Sequence, residues 1–243
     1  MICMEGRTTN YLESIKKRVQ NKKRSIQATN DEETFITSNK KQRIEETQLK
    51  RQWIINADTK VEYLDSFLSK SDADDLYLRL YKEIMWVQEE IMMMGKKLLP
   101  SRRTQTYGDD GLTYRYSGTT KQALQWIEPL ITLKQYVERA TGKTYNFALC
   151  NLYRNGDDYI GPHSDDERDL DREQGIASVS LGHSRDFKLH NKLDRDLNKT
   201  VNLKHGSLIV MSGDCQKEYK HSVPKRKDCK RPRINITFRK IVN

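Results

Sequence analysis

The chain is predicted to fold as an α+β domain, a core of antiparallel strands braced by two helices and covered by a lid. Three observations predict it. Arg233-Ile234-Asn235-Ile236-Thr237-Phe238-Arg239 alternates polar and apolar side chains with the period of a strand. Ile176 to Leu181 alternates in the same way, and Arg185 to Leu189 returns beside it after a short turn. Two further segments, carrying Leu76, Leu80, Ile84 and Val87 and then Leu130, Leu133, Val137 and Ala140, repeat apolar residues at helical spacing.

Bulk properties fit one such domain with a tail. The chain has 243 residues, of which 35% are hydrophobic and 32% charged, so part of it is expected not to pack. The net charge of +10 favours a polyanionic partner, and its placement sharpens that: residues 204–243 hold eleven Lys/Arg against three Asp/Glu. Cys3, Cys150, Cys215 and Cys229 show no paired spacing, and no signal peptide or long apolar span is evident. Free thiols, a reducing intracellular compartment, no membrane and a monomer are the expectation.

Taken in order, residues 1–50 are polar and basic, with Lys16-Lys17-Arg18, Lys22-Lys23-Arg24 and Lys40-Lys41-Gln42-Arg43. Too few apolar groups are present to offset ordering entropy, so a disordered or loosely helical tail is predicted, its clusters suited to a nuclear address. The folded domain then spans 51–243, beginning with a short strand at Trp53-Ile54-Ile55. Ser71-Asp72-Ala73-Asp74-Asp75 reads as the capped, acidic start of the first helix. A lid is expected over about residues 90–120. It opens with the apolar tip Ile91-Met92-Met93-Met94-Gly95, flanked by Lys96 and Lys97. Arg102 and Arg103 follow as contacts for a phosphate backbone, and Tyr114 and Tyr116 put two rings on one face. Pro129 starts the second helix and Gly142 ends it, after which Tyr145 to Tyr153 reads as a strand and Asn155-Gly156-Asp157-Asp158 as a turn.

That turn leads to the stretch of most chemical interest, Gly161-Pro162-His163-Ser164-Asp165-Asp166-Glu167. Side chains two apart on extended backbone share a face, which sets the His163 imidazole beside the Asp165 carboxylate. A second histidine brought in by the fold would complete a two-histidine, one-carboxylate facial triad, the arrangement that leaves positions open on a non-haem Fe(II). Taken alone, His-X-Asp is common. His221 is favoured over His205 as the partner, because the basic sequel Lys225-Arg226-Lys227 and the arginine-bearing strand follow it. On that strand Arg233, Asn235, Thr237 and Arg239 share one face, and guanidinium forks suit a small dicarboxylate. Lys225, Arg226 and Lys227 are expected to touch phosphates, making affinity salt-dependent. His183 and His190 are read as ordinary strand or surface residues.

These runs resemble the AlkB family of 2-oxoglutarate and Fe(II)-dependent dioxygenases, which demethylate damaged nucleic acids, and within it the eukaryotic duplex-DNA repair branch. The likeness is carried by Thr106 to Thr113, Tyr114, Tyr116-Ser117-Gly118, Asn151-Leu152-Tyr153, His163 to Arg168, Ile176 to Gly182, Arg185-Asp186-Phe187, His221 and Arg233 to Arg239, over about residues 65 to 241. The resemblance implies a double-stranded β-helix, or jelly-roll, core. It implies Fe(II) on His163, Asp165 and His221, and 2-oxoglutarate held by Asn151, Tyr153, Arg233, Asn235, Thr237 and Arg239. Dioxygen is the second co-substrate, and ascorbate supports activity in such enzymes. Asp166 and Glu167 fall to the substrate base, with Asp165 and Asp166 counted as catalytic. Tyr114, Tyr116 and Ser117 belong to the part of the lid that clasps a flipped nucleotide. Met93, Met94 and Gly95 match a hairpin finger that wedges into the base stack, with Met94 standing where relatives carry an aromatic residue.

The implied function is a nuclear DNA repair oxidoreductase acting on 1-methyladenine and 3-methylcytosine, with release of formaldehyde, succinate and carbon dioxide. Alkylated duplex DNA is the expected partner. Two alternatives stand beside it. An RNA demethylase would share every catalytic residue and differ in oligonucleotide preference. A non-catalytic binder of damaged DNA would release no formaldehyde.

Overall fold

Alternation and helical spacing translate directly into elements in the computed structural model, which describes residues 13–20, 50–56, 58–88, 90–93, 96–116 and 119–242. Residues 13–20 form helix α1. Strands β1 (Arg51–Asn56) and β2 (Thr59–Leu64) lead to helix α2 (Lys70–Glu83). The hairpin β3 (Ile91–Met93) and β4 (Lys96–Leu98), strand β5 (Arg103–Gly108), the hairpin β6 (Thr113–Tyr116) and β7 (Thr119–Gln122), and the short β8 (Leu124–Gln125) follow. After helix α3 (Glu128–Thr141) come β9 (Phe147–Tyr153), β10 (Ile160–His163), β11 (Ile176–Gly182), β12 (Arg185–Asn191), β13 (Lys199–Leu203) and β14 (Ser207–Gly213). The short helix α4 (Cys215–Glu218), β15 (Tyr219–Val223) and β16 (Arg233–Arg239) complete the order.

The strands form an eight-stranded sheet in the order β1-β2-β14-β11-β16-β9-β5-β8, facing a four-stranded sheet in the order β10-β15-β12-β13. Nearly all pairing is antiparallel, the β5–β8 pair being parallel. This is the mixed α+β arrangement that the alternation predicts, in the jelly-roll form that the resemblance implies. Apolar residues divide between two layers. Ile234, Ile236 and Phe238 of β16 join Leu80 of α2 and Leu130, Leu133 and Val137 of α3 in one cluster. Phe147, Ile176, Ile209 and Met211 of the large sheet meet Phe187, Leu189 and Val201 of the small one in the other. Every residue of β16 is therefore buried, the apolar ones against the helices and the polar ones between the sheets.

Helix ends follow local chemistry. The hydroxyl of Ser69, not Ser71, caps α2 by accepting from the Asp72 backbone N–H at 3.2 Å, so the cap lies two residues before the expected one. It also ends earlier: Ile84 turns extended, and Val87 forms a β-bridge with Thr104 instead of a fourth helical contact. α3 matches its expectation, with Pro129 in its first turn and Gly142 closing it at φ 65°.

The tail differs from the expectation in one part. Ile15 is fully buried in the helix-side core and Val19, four residues on, packs against it, while Arg18 Nη1 lies 3.7 Å from Asp74 of α2. Two apolar groups at i and i+4 make a stripe that a short helix can bury. The remaining basic clusters of the tail, together with Met94, Gly95 and Ser117, lie outside the described residues, as do the side chains of Met93 and Tyr116. Among the described residues no helix is long and apolar enough to cross a membrane, and Cys150, Cys215 and Cys229 are free and buried.

Truncating Ile15 opens a cavity in the core beside α2. Ile15→Ala should destabilise the protein by about 2 kcal/mol, read as a fall of roughly 4–8 °C in thermal midpoint; an unchanged midpoint would show that α1 contributes nothing to the fold.

Candidate active site

β10 pairs with β15 so that His163 faces His221, and strand register alone sets the two imidazoles side by side with centroids 4.2 Å apart. Asp165 lies two residues past the end of β10. Strand alternation therefore does not deliver its carboxylate, as the sequence reading expects; anchors do. Its backbone N–H donates to Oε1 of Gln216 at 2.9 Å, and Nη2 of Arg239 donates to Oδ2 at 2.6 Å. So held, Oδ1 lies 3.6 Å from His163 Nε2, and Oδ2 lies 4.0 Å from His221 Nε2. Among the described residues this is the one such cluster of donor atoms, all within 4.8 Å of one another. Phe187 stacks on His221 at 5.3 Å and fixes the ring plane.

Protonation suits a metal. Enclosure disfavours the charged imidazole and lowers the His221 pKa to about 3, although Asp165 pulls the other way. Burial alone would raise the pKa of Asp165, but Arg239 and then the two histidines outweigh it and hold the carboxyl at about 2. A neutral imidazole and an ionised carboxylate are the metal-binding forms. Three converging protein donors leave positions open, which is what Fe(II) chemistry requires and a closed structural site would not provide.

Polar side chains of the large sheet wall the adjoining cavity, which Asn151, Tyr153, Asn235, Thr237 and Arg239 line together with the three candidate ligands. Asn235 Nδ2 donates to Ser178 Oγ at 2.6 Å and to the Val179 carbonyl at 3.1 Å. Arg233, next along the same face, is 1% exposed. It donates through Nη2 to Ser180 Oγ at 2.7 Å and stacks over the Tyr153 ring at 5.2 Å. Burial lowers its pKa to about 10, which still leaves it charged at neutral pH. Its Nε and Nη1 are buried without a hydrogen-bond partner. A buried cation with two unanswered N–H groups is unfavourable until an acceptor arrives, and a carboxylate is the acceptor that suits it. The residues present thus fit 2-oxoglutarate. Arg239 differs from Arg233: Asp165 and Tyr114 already occupy its two Nη groups, and its Nε alone lacks a partner.

Above the metal cluster, the Tyr114 hydroxyl donates to Glu167 Oε1 and accepts from Arg239 Nη1 at 2.7 Å. Burial is the main reason its pKa is raised. Oε2 of Glu167 is buried and unpartnered. Asp166 is exposed, because Asp165, Asp166 and Glu167 alternate in, out, in on extended chain. Of the two acids assigned to a substrate base, Glu167 is the one aimed inward. A cavity of about 280 Å³, bounded by Asp165, Asp166, Glu167 and Arg239 with Met211 and Cys215, adjoins them.

The basic stretch behaves as a surface loop. Lys225 and Lys227 are exposed, Lys225 Nζ sits 4.9 Å from the Tyr159 ring centroid, and Arg226 pairs with Asp228. Arg102 is placed elsewhere than the sequence reading has it: it is 7% exposed and lines the cavity beside the candidate ligands, while Arg103 is the exposed one of the pair. His205 is tied to the Gly182 N–H and to Asp74, far from the cluster. Sequence reasoning overlooked Ser178, Ser180 and Gln216. The alternation of β11 could have found the two serines, since it puts them on the face that meets Asn235 and Arg233.

Comparisons with known proteins agree with this geometry. The profile of the 2OG-Fe(II) oxygenase superfamily matches residues 60–239. The human protein named DNA oxidative demethylase ALKBH2 is 39% identical over 183 residues, covering 71% of this chain and 70% of its own. The human alpha-ketoglutarate-dependent dioxygenase alkB homolog 3 is 36% identical, covering 72% of this chain and 64% of its own. The solved structure of OsALKBH1 superposes with a TM-score of 0.58 at 17% identity, covering 79% of this chain and all of that one, and shares its fold.

The depressed pKa of His221 has a consequence for stability. An unfolded imidazole takes its proton near 6.5 and the folded one only near 3, so between those values the unfolded chain binds more protons. Metal-free protein should lose stability as pH falls through that window, and His221→Asn should flatten the slope; urea midpoints measured across it decide. An equal slope in the variant would show that His221 is not held neutral.

Proposed function

The chain belongs to the 2OG-Fe(II) oxygenase superfamily and, within it, to the AlkB family, and from that membership we propose that it is a DNA repair dioxygenase removing N-methyl groups from bases of nuclear duplex DNA. Its cofactor is Fe(II), and its co-substrates are 2-oxoglutarate and dioxygen. When bound, these supply the oxidation of an N-methyl carbon, whose hydroxymethyl form leaves as formaldehyde while 2-oxoglutarate becomes succinate and carbon dioxide. The observation that carries the reading is the meeting of His163, Asp165 and His221, together with a buried, unsatisfied Arg233 on the strand whose Arg239 holds Asp165.

The chain's own residues divide the work. His163, Asp165 and His221 hold the metal, and Arg239 keeps Asp165 ionised and oriented. Arg233 receives a carboxylate of 2-oxoglutarate, with Tyr153 packed beneath it and Asn151, Asn235 and Thr237 along the wall. Enclosure between the sheets keeps water from these charges, which strengthens them. Glu167 accepts a hydrogen bond from the exocyclic amine of 1-methyladenine or 3-methylcytosine through its free Oε2, and its negative charge favours those cationic bases. Tyr114 fixes the other carboxylate oxygen.

Duplex DNA is favoured by the β3–β4 hairpin, at whose base Leu98 and the following Leu99 are exposed apolar side chains. The resemblance gives its Met93-Met94-Gly95 tip the role of a wedge held in the gap of an extruded base. Lys225, Arg226 and Lys227 add phosphate contacts.

With Fe(II), ascorbate and 2-oxoglutarate, the protein should release formaldehyde and succinate from a duplex carrying 1-methyladenine. Asp165→Ala should reduce that release at least about a hundredfold and leave affinity for the duplex nearly unchanged; equal turnover would overturn the ligand assignment. Met94→Ala should lower activity more on duplex than on single strands, and a uniform drop would remove the wedge. RNA oligonucleotides in the same competition test the nucleic-acid preference, and their preferential turnover would replace DNA with RNA as the substrate.

A further inference from the structure

We propose that Arg102 is a positioning residue of the 2-oxoglutarate site, acting through the amide of Asn151, and not a contact for nucleic-acid phosphates; this rests on the dioxygenase reading above. Arg102 immediately precedes β5, which pairs with β9 so that Arg103 faces Leu152 and Thr104 faces Asn151. The pleat sends Arg103 out to solvent and leaves Arg102 7% exposed. Its Nε–H donates to Asn151 Oδ1 at 2.8 Å.

That single bond settles the orientation of the amide. A guanidinium has donors only, so the group of Asn151 facing Arg102 must be its carbonyl oxygen. The NH₂ of Asn151, also donors only, is thereby turned away from Arg102. Without Arg102 the amide could rotate and present an oxygen to an incoming carboxylate, replacing an attraction with a repulsion. The same side chain adds a full positive charge to the wall of the cavity that Asn235, Thr237 and Arg239 also line. Among the described residues no carboxylate pairs with Arg102. A buried guanidinium without a counter-ion is unfavourable unless an anion reaches it. A phosphate backbone on the protein surface would meet only the small exposed part of the side chain, whereas a small dicarboxylate entering the cavity meets the part that lines it. Asn235 lies opposite Asn151, and Arg233 opposite Tyr153, in the β9–β16 register. The donor from Arg102 therefore supports one side of a cavity whose opposite wall carries Asn235 and Arg239, with Arg233 behind the Tyr153 ring.

Calorimetric titration of 2-oxoglutarate into Mn(II)-loaded full-length protein tests this without turnover. Arg102→Gln should weaken 2-oxoglutarate binding at least about tenfold, the effect of one lost charge-assisted hydrogen bond, and Arg102→Lys should lie between it and wild type. Adding Asn151→Ala to Arg102→Gln should cause little further loss, since both act through one amide. Mn(II) affinity, and affinity for a methylated duplex followed by fluorescence anisotropy, should be unchanged. Unaltered 2-oxoglutarate affinity in Arg102→Gln overturns the proposal, as does a loss matched by an equal loss of Mn(II) affinity, which would mean that the site has collapsed. If Arg102→Gln does not fold, Arg102→Lys decides by the same two criteria. A wild type that binds Mn(II) but no 2-oxoglutarate would fail the dioxygenase reading itself, and this inference with it.

Discussion

A carboxylate that must stay ionised inside a protein needs a permanent positive neighbour, and here that neighbour is Arg239, 2.6 Å from Asp165. Both groups are almost completely enclosed, at 3% and 6% side-chain exposure. A pair buried this deeply gains little net stability, because desolvation consumes most of the attraction. What it secures is a state of charge. Without Arg239 the enclosed Asp165 would be pushed toward its neutral form, and a neutral carboxyl is a poor metal ligand. The metal site is thus prepared by a residue that does not belong to it. The same guanidinium holds Tyr114, which holds Glu167, so the charge state of Asp165 and the position of Glu167 are joined in one chain of contacts.

This pair can form only if β16 keeps its register. Strand β16 lies between β11 and β9, with Asn235 opposite both Ser180 and Asn151. Ile234, Ile236 and Phe238 pin one face against the helices, and a slip by one residue would turn them into the polar layer and the two arginines into the apolar one. The apolar face specifies the register, and the register places the polar face. Burying that polar face is tolerable because each group finds a partner across the layer: Asn235 with Ser178, Arg233 with Ser180, Arg239 with Asp165. On that face the N–H groups that remain unanswered are concentrated on Arg233 and Arg239, the second of which lines the cavity beside the candidate ligands.

Much of this was legible in the sequence, for reasons of periodicity. The β16 alternation and the two helices follow from patterns that repeat over several residues, where tertiary context has little room to intervene, and His221 is singled out by the basic run and arginine-bearing strand that follow it. Single-residue placements were less legible. Asp165 reaches the histidines, yet through Gln216 and Arg239 rather than by sharing a strand face with His163. Two arginines adjacent in sequence, Arg102 and Arg103, look alike until strand pleating sends one inward. Ser69 and Ser71 are equally good caps on paper, and only the turn geometry selects the first. The tail as a whole reads as polar, and its average conceals that Ile15 and Val19 are spaced for one helical face. Composition describes a segment; burial is decided by individual side chains.

The remaining constraint concerns the two strands that carry the candidate ligands His163 and His221, which are short and sit in the smaller sheet. Their outer ends are gathered by Arg185, whose guanidinium donates to the carbonyls of Asn155 and Asp158, in the turn before β10, and of Pro224, just after β15. One buried side chain therefore fixes the strand carrying His163 and the strand carrying His221 relative to each other. Gly156, in the same turn, exchanges backbone hydrogen bonds with Arg226 and Cys229 of the basic loop at 2.8 Å. A Cβ at Gly156 would fall 1.6 Å from the Arg226 carbonyl oxygen, so no other residue permits that approach. The basic loop is thus fastened to the turn that delivers the metal ligand. Through Tyr153, which both Arg185 and Arg233 approach, the same bracket also touches the residues proposed to grip the co-substrate. Metal geometry, co-substrate binding and the placement of the surface cations consequently depend on contacts far from the reacting atoms. A substitution at Arg185 would disturb all three while leaving each proposed ligand in place.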